Sequence, residues 1–339
     1  MKKVLKLKEV LLLVILSLTL VACGTKVNQD KGNTSTPAPT NNENIDDGKE
    51  EIPPTNRPTV DRVGNEITIP ETVNKIVSLA PSTSIVLHDL GVMDKVIAVD
   101  TNTPFNMTAE GIAWDGIIQF DMMAPDLEQI LALEPDIVFT STMSNAGGED
   151  IFLSLRNAGI CVAEIPNSVS IKDIKTDLQF IGDCVDKSEE AAALVEGMEA
   201  AISEIEAIGK TIEEKKTVIF EVSAAPFIYS FGQGVFLHEM IELIGAANAL
   251  ANENGWISVT EEAAVLANPD VILTNVNYIE DPVGEILSRE GFKEVAAVAN
   301  KEVYSIDNSS SSLPNHKIIK ALKEMAKAVY PEAYGALEE

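Results

Sequence analysis

SEEAAALVEGMEAAISEIEAIGKTIEEKK, Ser188 to Lys216, reads as one long amphipathic helix. Leu194, Met198, Ala201, Ile202, Ile205, Ile208 and Ile212 recur three and four apart, and Glu196, Glu199, Glu204, Glu206 and Glu213 fall mostly between them. That is the 3.6-residue period of a helix with a single apolar face. Ser188 is placed to cap its start, Glu189 and Glu190 meet the positive end of the macrodipole, and Lys210, Lys215 and Lys216 meet the negative end. At 1.5 Å per residue the helix would run roughly 40 Å, about the width of a domain. The chain before and after it repeats one α/β pattern, so the helix, residues 187–216, is expected as a spine between two lobes, residues 59–186 and 217–339.

Before the spine, short apolar runs over 75–80, 95–99, 137–140 and 161–165 alternate with helical stretches over 84–90, 126–133, 150–158 and 171–185. After it come extended runs over 217–222, 227–230, 271–274 and 303–306, with helical stretches over 235–244, 260–267, 283–289 and 314–329. Strands that are apolar without alternation belong to mainly parallel sheets covered on both faces. The fold class expected is α/β, two similar lobes joined by one rigid helix with a ligand cleft between them. Residues 100–125 carry Phe105, Trp114, Phe120, Met122 and Met123 without a sustained period. They read as an apolar-rich loop of the kind that binds something.

Two segments make the duplication concrete. Glu128-Gln-Ile-Leu-Ala-Leu-Glu-Pro135-Asp136-Ile-Val-Phe-Thr answers to Glu262-Ala-Ala-Val-Leu-Ala-Asn-Pro269-Asp270-Val-Ile-Leu-Thr. In each, a glutamate opens an apolar helix, Pro-Asp breaks it, and a buried strand ends in threonine. Two such lobes can hold a ligand at the carboxyl ends of both sheets.

The N-terminus has its own grammar. Four lysines within the first eight residues precede an apolar run from Val10 to Val21, too short to span a bilayer. The run ends Leu20-Val21-Ala22-Cys23, which resembles the bacterial lipobox, so residues 1–22 are expected to be a cleaved signal peptide and Cys23 lipid-modified. Residues 23–58, rich in Thr, Asn, Pro, Ser, Asp and Glu, cannot bury enough surface to fold and are expected to form a tether. The formal charge is −28, or −31 without residues 1–22, a poor match for nucleic acid or an anionic membrane and a good one for a basic partner. Contact with the membrane is expected through the lipid alone. Cys161 and Cys184 lie in apolar surroundings, which favours buried free thiols over a disulfide.

KIVSLAPSTSIVLHDLG, the paired Glu-x6-Pro-Asp segments, GVFLHEMIELIGAANAL, VYSID and LPNHKIIKALKEMAKAVYPE together cover most of the chain after residue 60. In this order they resemble the substrate-binding proteins of ABC importers for cobalamin, siderophores and haem. The resemblance implies an extracytoplasmic, lipid-anchored monomer, not an enzyme. It would carry no intrinsic cofactor and would capture a metal chelate, either a ferric siderophore, haem or a corrinoid. It further implies that one surface glutamate per lobe docks on arginines of the permease, and by position these are Glu128 and Glu262, with Glu261 adjacent. Each glutamate would also complement its own helix dipole, worth about 0.3–1 kcal/mol.

Trp256 stands six residues before Glu262, where cobalamin-binding relatives carry a cleft tryptophan; the matching place before Glu128 holds Met122, with Phe120 or Trp114 as substitutes. Strand ends facing the gap add Pro81 and Ser82, Thr101 to Phe105 with Thr103, Ser141 to Asn145 with Met143, Tyr229 and Phe231, Asn275 to Tyr278, and Ser309 to Leu313 with Ser310. The serine run reads equally well as a flexible turn. None of these loops contains arginine, which disfavours a strongly anionic chelate and favours a corrinoid, a hydroxamate or haem. His88, His238 and His316 lack the spacing of a metal site, although His238 or Tyr278 could ligate haem iron. Rival readings on the same scaffold are a ligand sensor and an extracytoplasmic enzyme, but no nucleophile pattern supports catalysis. A stiff spine implies small hinge motion.

Overall fold

The apolar runs on either side of the spine form two parallel sheets. The computed structural model describes residues 57–337 apart from 110, 112–115, 146 and 149. The signal segment, Cys23 and most of the tether therefore lie outside the described residues, as does Trp114. Arg57, expected near the end of the tether, donates from Nε to Asp186 at 2.8 Å and so is tied to the folded part.

The first half contributes β1 (Ile76–Ser78), β2 (Val96–Asp100), β3 (Ile118–Phe120), β4 (Ile137–Ser141) and β5 (Cys161–Ile165). They form a five-stranded sheet in the order β3-β2-β1-β4-β5, parallel throughout. Every residue of β1, β4 and β5 is buried, which is why these runs show no alternation. The second half contributes β6 (Thr217–Glu221), β7 (Tyr229–Phe231), β8 (Ala247–Asn248), β9 (Trp256–Ser258), β10 (Val271–Thr274) and β11 (Val303–Ser305). Four of these make a parallel sheet, β11-β10-β6-β8, while β7 and β9 pair as an antiparallel ribbon. The strand β3 arises inside the stretch expected to be loop. Only Phe120 of its three residues is buried, so an edge strand this short leaves no periodic trace.

The spine is a helix from Ser188 to Gly209, 22 residues and about 33 Å, shorter than expected at its C-terminal end. Its buried line is Ala191, Met198, Ile205 and Gly209. It packs against the helix Ile171–Cys184 of the first lobe and against Phe236–Leu243, Ile318–Val329 and Pro331–Tyr334 of the second. At Gly209 the backbone lies so close to the second lobe that an added Cβ would collide with the Leu243 carbonyl and reach 2.9 Å from Gly245 N. The helix stops there, and Thr211 Oγ1 donates to Ile208 O at 2.7 Å to close it. Lys215 and Lys216 therefore lie beyond the helix. At the other end Lys187, not Ser188, is the N-cap and supplies no side-chain cap, because the chain turns directly out of the preceding helix, where Gly182 packs on Ala191.

One hydrophobic cluster runs from Ile76 and Phe139 through Met198 and Ile205 to Phe220, Leu322 and Tyr334, so the spine is part of a core shared by both lobes. Tyr334 Oη completes it, its one proton shared between the carbonyls of Ile205 at 3.1 Å and Ile244 at 3.0 Å. Smaller clusters cover the outer face of each sheet.

Cys161 and Cys184 are buried free thiols, and burial pushes the Cys161 thiol up to about 11. Neither is a usable nucleophile at neutral pH. Iodoacetamide at pH 7.5 should leave both unmodified in the native protein and alkylate both after unfolding, as peptide mass mapping would record.

Candidate functional site

The carboxyl ends of both sheets meet at a cavity of about 530 Å³, within the usual range for ligand pockets. In the first sheet the winding reverses between β1 and β4, the place where open α/β sheets bind ligands. Ala80 to Thr83, following β1, and Thr140 and Ser141, ending β4, form that wall. The second lobe closes the other side with Phe236, Trp256, Asn277, Asn308 and residues 312–315.

Buried side chains hold these walls in place. Asp100, at the end of β2, accepts from Asn102 N at 2.8 Å and from Met122 N at 3.2 Å, fixing two cavity loops at once. The serine run proves to be a helix, Asn308–Ser312, capped by Asp307 through Ser310 N at 2.8 Å. Asn275 donates to Ser311 and Ser312 at 2.9 and 3.1 Å and accepts from Asn308 at 2.7 Å through its carbonyl.

Of the expected cleft residues, Pro81, Ser82, Asn102, Phe105, Met122, Ser141, Met143, Trp256, Asn277, Ser312 and Leu313 line the cavity. Phe105 and Trp256, both exposed, face the same gap from opposite lobes. Met122 and Trp256, each six residues before its glutamate in the twin segments, both line it. The others stand elsewhere. Phe120 is buried in the outer cluster with Val77 and Ile130. Thr103 is buried beside Ser84, their hydroxyls 3.4 Å apart. Phe231 is fully buried and meets Trp256 edge-on at 5.6 Å, while Tyr229 stacks on Trp256 at 6.3 Å; the pair backs the indole without lining the cavity. Asn275 and Ser310 are buried in the loop framework just described. Tyr278 is exposed, and its hydroxyl accepts from Ala224 N at 2.8 Å. His238 does not line the cavity and lies 3.3 Å from the Asn248 carboxamide, so neither candidate haem ligand faces the site.

Sequence reading missed Asn106, Thr140, Asn167, Ser168, Asp177, Phe236, Asn308, Pro314 and Asn315. Asn167 and Ser168 follow β5, so extending the strand-end rule by one strand would have found them. Asp177 and Phe236 sit inside helices and carry no local signal.

Six asparagines line the cavity, Asn102, Asn106, Asn167, Asn277, Asn308 and Asn315, and among the described lining residues there is no Lys, Arg or His. The single ionisable one is Asp177, which accepts from Ser168 Oγ at 2.7 Å and pairs with Arg62 behind the wall. Burial pushes its carboxyl up, against the pull of those two partners. Among the described residues no cluster of metal-ligating side chains occurs, and no helix is long and apolar enough to cross a membrane.

The sequence profile of the periplasmic binding protein family matches residues 76–310. The chain belongs to the periplasmic binding proteins. It is 32% identical over 279 residues to the uncharacterized ABC transporter substrate-binding lipoprotein YvrC of Bacillus subtilis, covering 81% of this chain and 86% of that one. It is 24% identical to the molybdate-binding protein MolA of Haemophilus influenzae, over 81% of this chain and 85% of MolA. The solved molybdate-bound MolA superposes with a TM-score of 0.70 at 20% identity, covering 82% of this chain and 93% of that structure. A cobalamin-binding protein of Halobacterium salinarum is 23% identical, over 80% of this chain and 73% of that one.

In this periplasmic binding protein the lobes are also joined by ions beside the cavity. Asp89, closing the helix Pro81–Asp89, accepts from His316 Nε2 at 2.6 Å and Lys317 Nζ at 2.7 Å of the second lobe and from His88 Nδ1 at 2.6 Å. Burial alone would raise its carboxyl, but these bonds outweigh it and hold the group well below the usual carboxylate range. A depressed carboxyl contributes stability that is present above its ordinary pKa, about 4, and is lost as pH falls through the folded value. Asp89→Asn should therefore cost about 1–2 kcal/mol at pH 7, given the partial exposure. The difference from wild type should shrink below about pH 4, which urea unfolding at pH 7 and pH 3 would measure.

Proposed function

We propose that this periplasmic binding protein, anchored outside the cytoplasm through lipid on Cys23, captures a neutral, oxygen-bearing metal chelate between its lobes and delivers it to an ABC importer. The chelate is a corrinoid or a ferric hydroxamate. The observation that carries this reading is the cavity lining: carboxamides, hydroxyls, Phe105, Trp256 and thioethers, with no cation among the described residues. Amides and aromatics suit a ligand that is itself ringed with carboxamides or hydroxamates. Haem would bring carboxylates and an iron seeking an axial ligand, and among the described lining residues the only axial ligands of the usual kinds are Met122 and Met143. Molybdate, the ligand in the name of the Haemophilus relative, is a dianion that would meet Asp177 and no opposing cation among the described lining residues. The cobalamin-binding relative, with Trp256 at the cavity, supports the corrinoid.

Glu128 and Glu262 are the proposed contacts to arginines of the permease, with the protein acting as a monomer. Both are exposed at the first turns of Leu127–Leu133 and Glu261–Ala267, and each helix also exposes a leucine, Leu131 and Leu266. A carboxylate beside an exposed apolar side chain suits a small docking patch.

Purified protein should retain cyanocobalamin or ferrichrome through gel filtration, read by visible absorption, and should not retain haemin. Retention of haemin alone, or of none of the three with molybdate bound in calorimetry, would refute the ligand class.

A further inference from the structure

We propose that Asn315 and Thr140 select the ligand by presenting it with two buried polar groups, one from each lobe, that an oxygen acceptor satisfies. This rests on the reading of the cavity as the chelate site and adds what the site demands of the chelate.

Asn315 is 1% exposed and lines the cavity from the second lobe. Its Oδ1 accepts from Lys317 N at 2.8 Å. That bond fixes which way round the carboxamide lies, because the reversed group would set Nδ2 against an N–H, donor against donor. Nδ2 is left as a buried donor without a protein partner. The next two residues, His316 and Lys317, are held by Asp89 of the first lobe, so the amide is anchored on both sides.

Thr140, one residue before the end of β4, stands in the opposite wall and is fully buried, and its Oγ1 likewise lacks a partner. Its counterpart in the twin segment behaves differently. Thr274 accepts from Val276 N at 3.2 Å and does not line the cavity. The same residue type at matching positions of the twin segments is thus bonded locally in one lobe and left without a partner in the other.

An unmet buried polar group costs about 1–3 kcal/mol, and a ligand that meets it recovers that amount. The carboxamide oxygens of a corrinoid and the carbonyl oxygens of a hydroxamate can accept from both groups. A ligand presenting only apolar surface would leave both unmet, and sites built around such groups discriminate against it most strongly.

The test uses the folded chain with cyanocobalamin and ferrichrome as probes in absorbance titrations. Asn315→Asp keeps the bond to Lys317 N and replaces the free donor by an acceptor. Affinity for the retained probe should fall about 30-fold or more. Thr140→Val removes the hydroxyl at constant shape. Affinity should fall about tenfold while the melting temperature of the unliganded protein stays level or rises, because a buried unmet group has gone. A merely structural role would lower both. If wild type binds a probe and both variants bind it within about threefold, this inference fails and the proposed function stands. If wild type binds neither probe, the ligand class falls and this inference falls with it.

Discussion

Cells carrying Glu128→Ala together with Glu262→Ala should lose ligand uptake by about 100-fold or more, while the purified variant binds its ligand as wild type does. Neither glutamate has structural work that would confuse the result. The helix starts are capped by other residues, Asp126 accepting from Gln129 N at 3.0 Å and Thr260 from Ala263 N at 3.1 Å. What each carboxylate contributes at home is a dipole interaction of about 0.3–1 kcal/mol. Losing one partner of a close charge pair at an interface costs about 2–5 kcal/mol, and two lost pairs take docking far below working concentrations.

The platforms that carry these residues are firm. In both lobes the helix that carries the glutamate ends in a left-handed residue, Glu134 or Asn268, and the Asp after the proline ties the helix to the neighbouring strand. Asp136 accepts from Asn74 N at 2.7 Å and Lys75 N at 2.9 Å, and Asp270 from Thr217 N at 2.8 Å. The distance between the glutamates therefore follows the angle between the lobes. Intact uptake by the double variant would remove these residues from docking and favour a sensor on the same scaffold.

Gly209→Ala should destabilise the protein by about 2–4 kcal/mol, although alanine is the better helix former by about 1 kcal/mol. At the last residue of the spine the propensity gain is small, whereas the new Cβ meets backbone, the Leu243 carbonyl and Gly245 N, which cannot rotate away. The neighbouring Gly197, on the same helix with nothing within 4 Å of a built Cβ, is the control, and Gly197→Ala should stabilise slightly. Urea unfolding of both variants decides it; equal stabilities would mean that the spine and the second lobe are not in close contact.

The lobes, the spine and the twin segments were legible because they depend on period and on order. A buried parallel strand is a run of apolar residues wherever it stands, and Pro-Asp ends a helix in either lobe. The cavity was half legible. Met122 and Trp256 were found by their shared offset from the glutamates, and Phe105 by its place after a strand. Phe231 and Phe120 were misassigned because an aromatic at a strand end can face the gap or the core, and a one-residue change of register decides which. Asn315 escaped notice because its role depends on a bond to Lys317 N that orients its amide, and no spacing in the sequence encodes that. The length of the spine was overestimated for a similar reason. The 3.6-residue pattern continues to Ile212, but contact with Gly245 ends the helix at Gly209.

The core that threads from Ile76 through Met198 and Ile205 to Tyr334 has a consequence for how the chain can be divided. Cutting between the halves would strip Met198 and Ile205 of one partner and leave a greasy seam on each fragment, so neither piece should be obtainable on its own. Co-expressed fragments split at residues 210–216 should instead reassemble and melt in a single step, the result expected when two halves share one core.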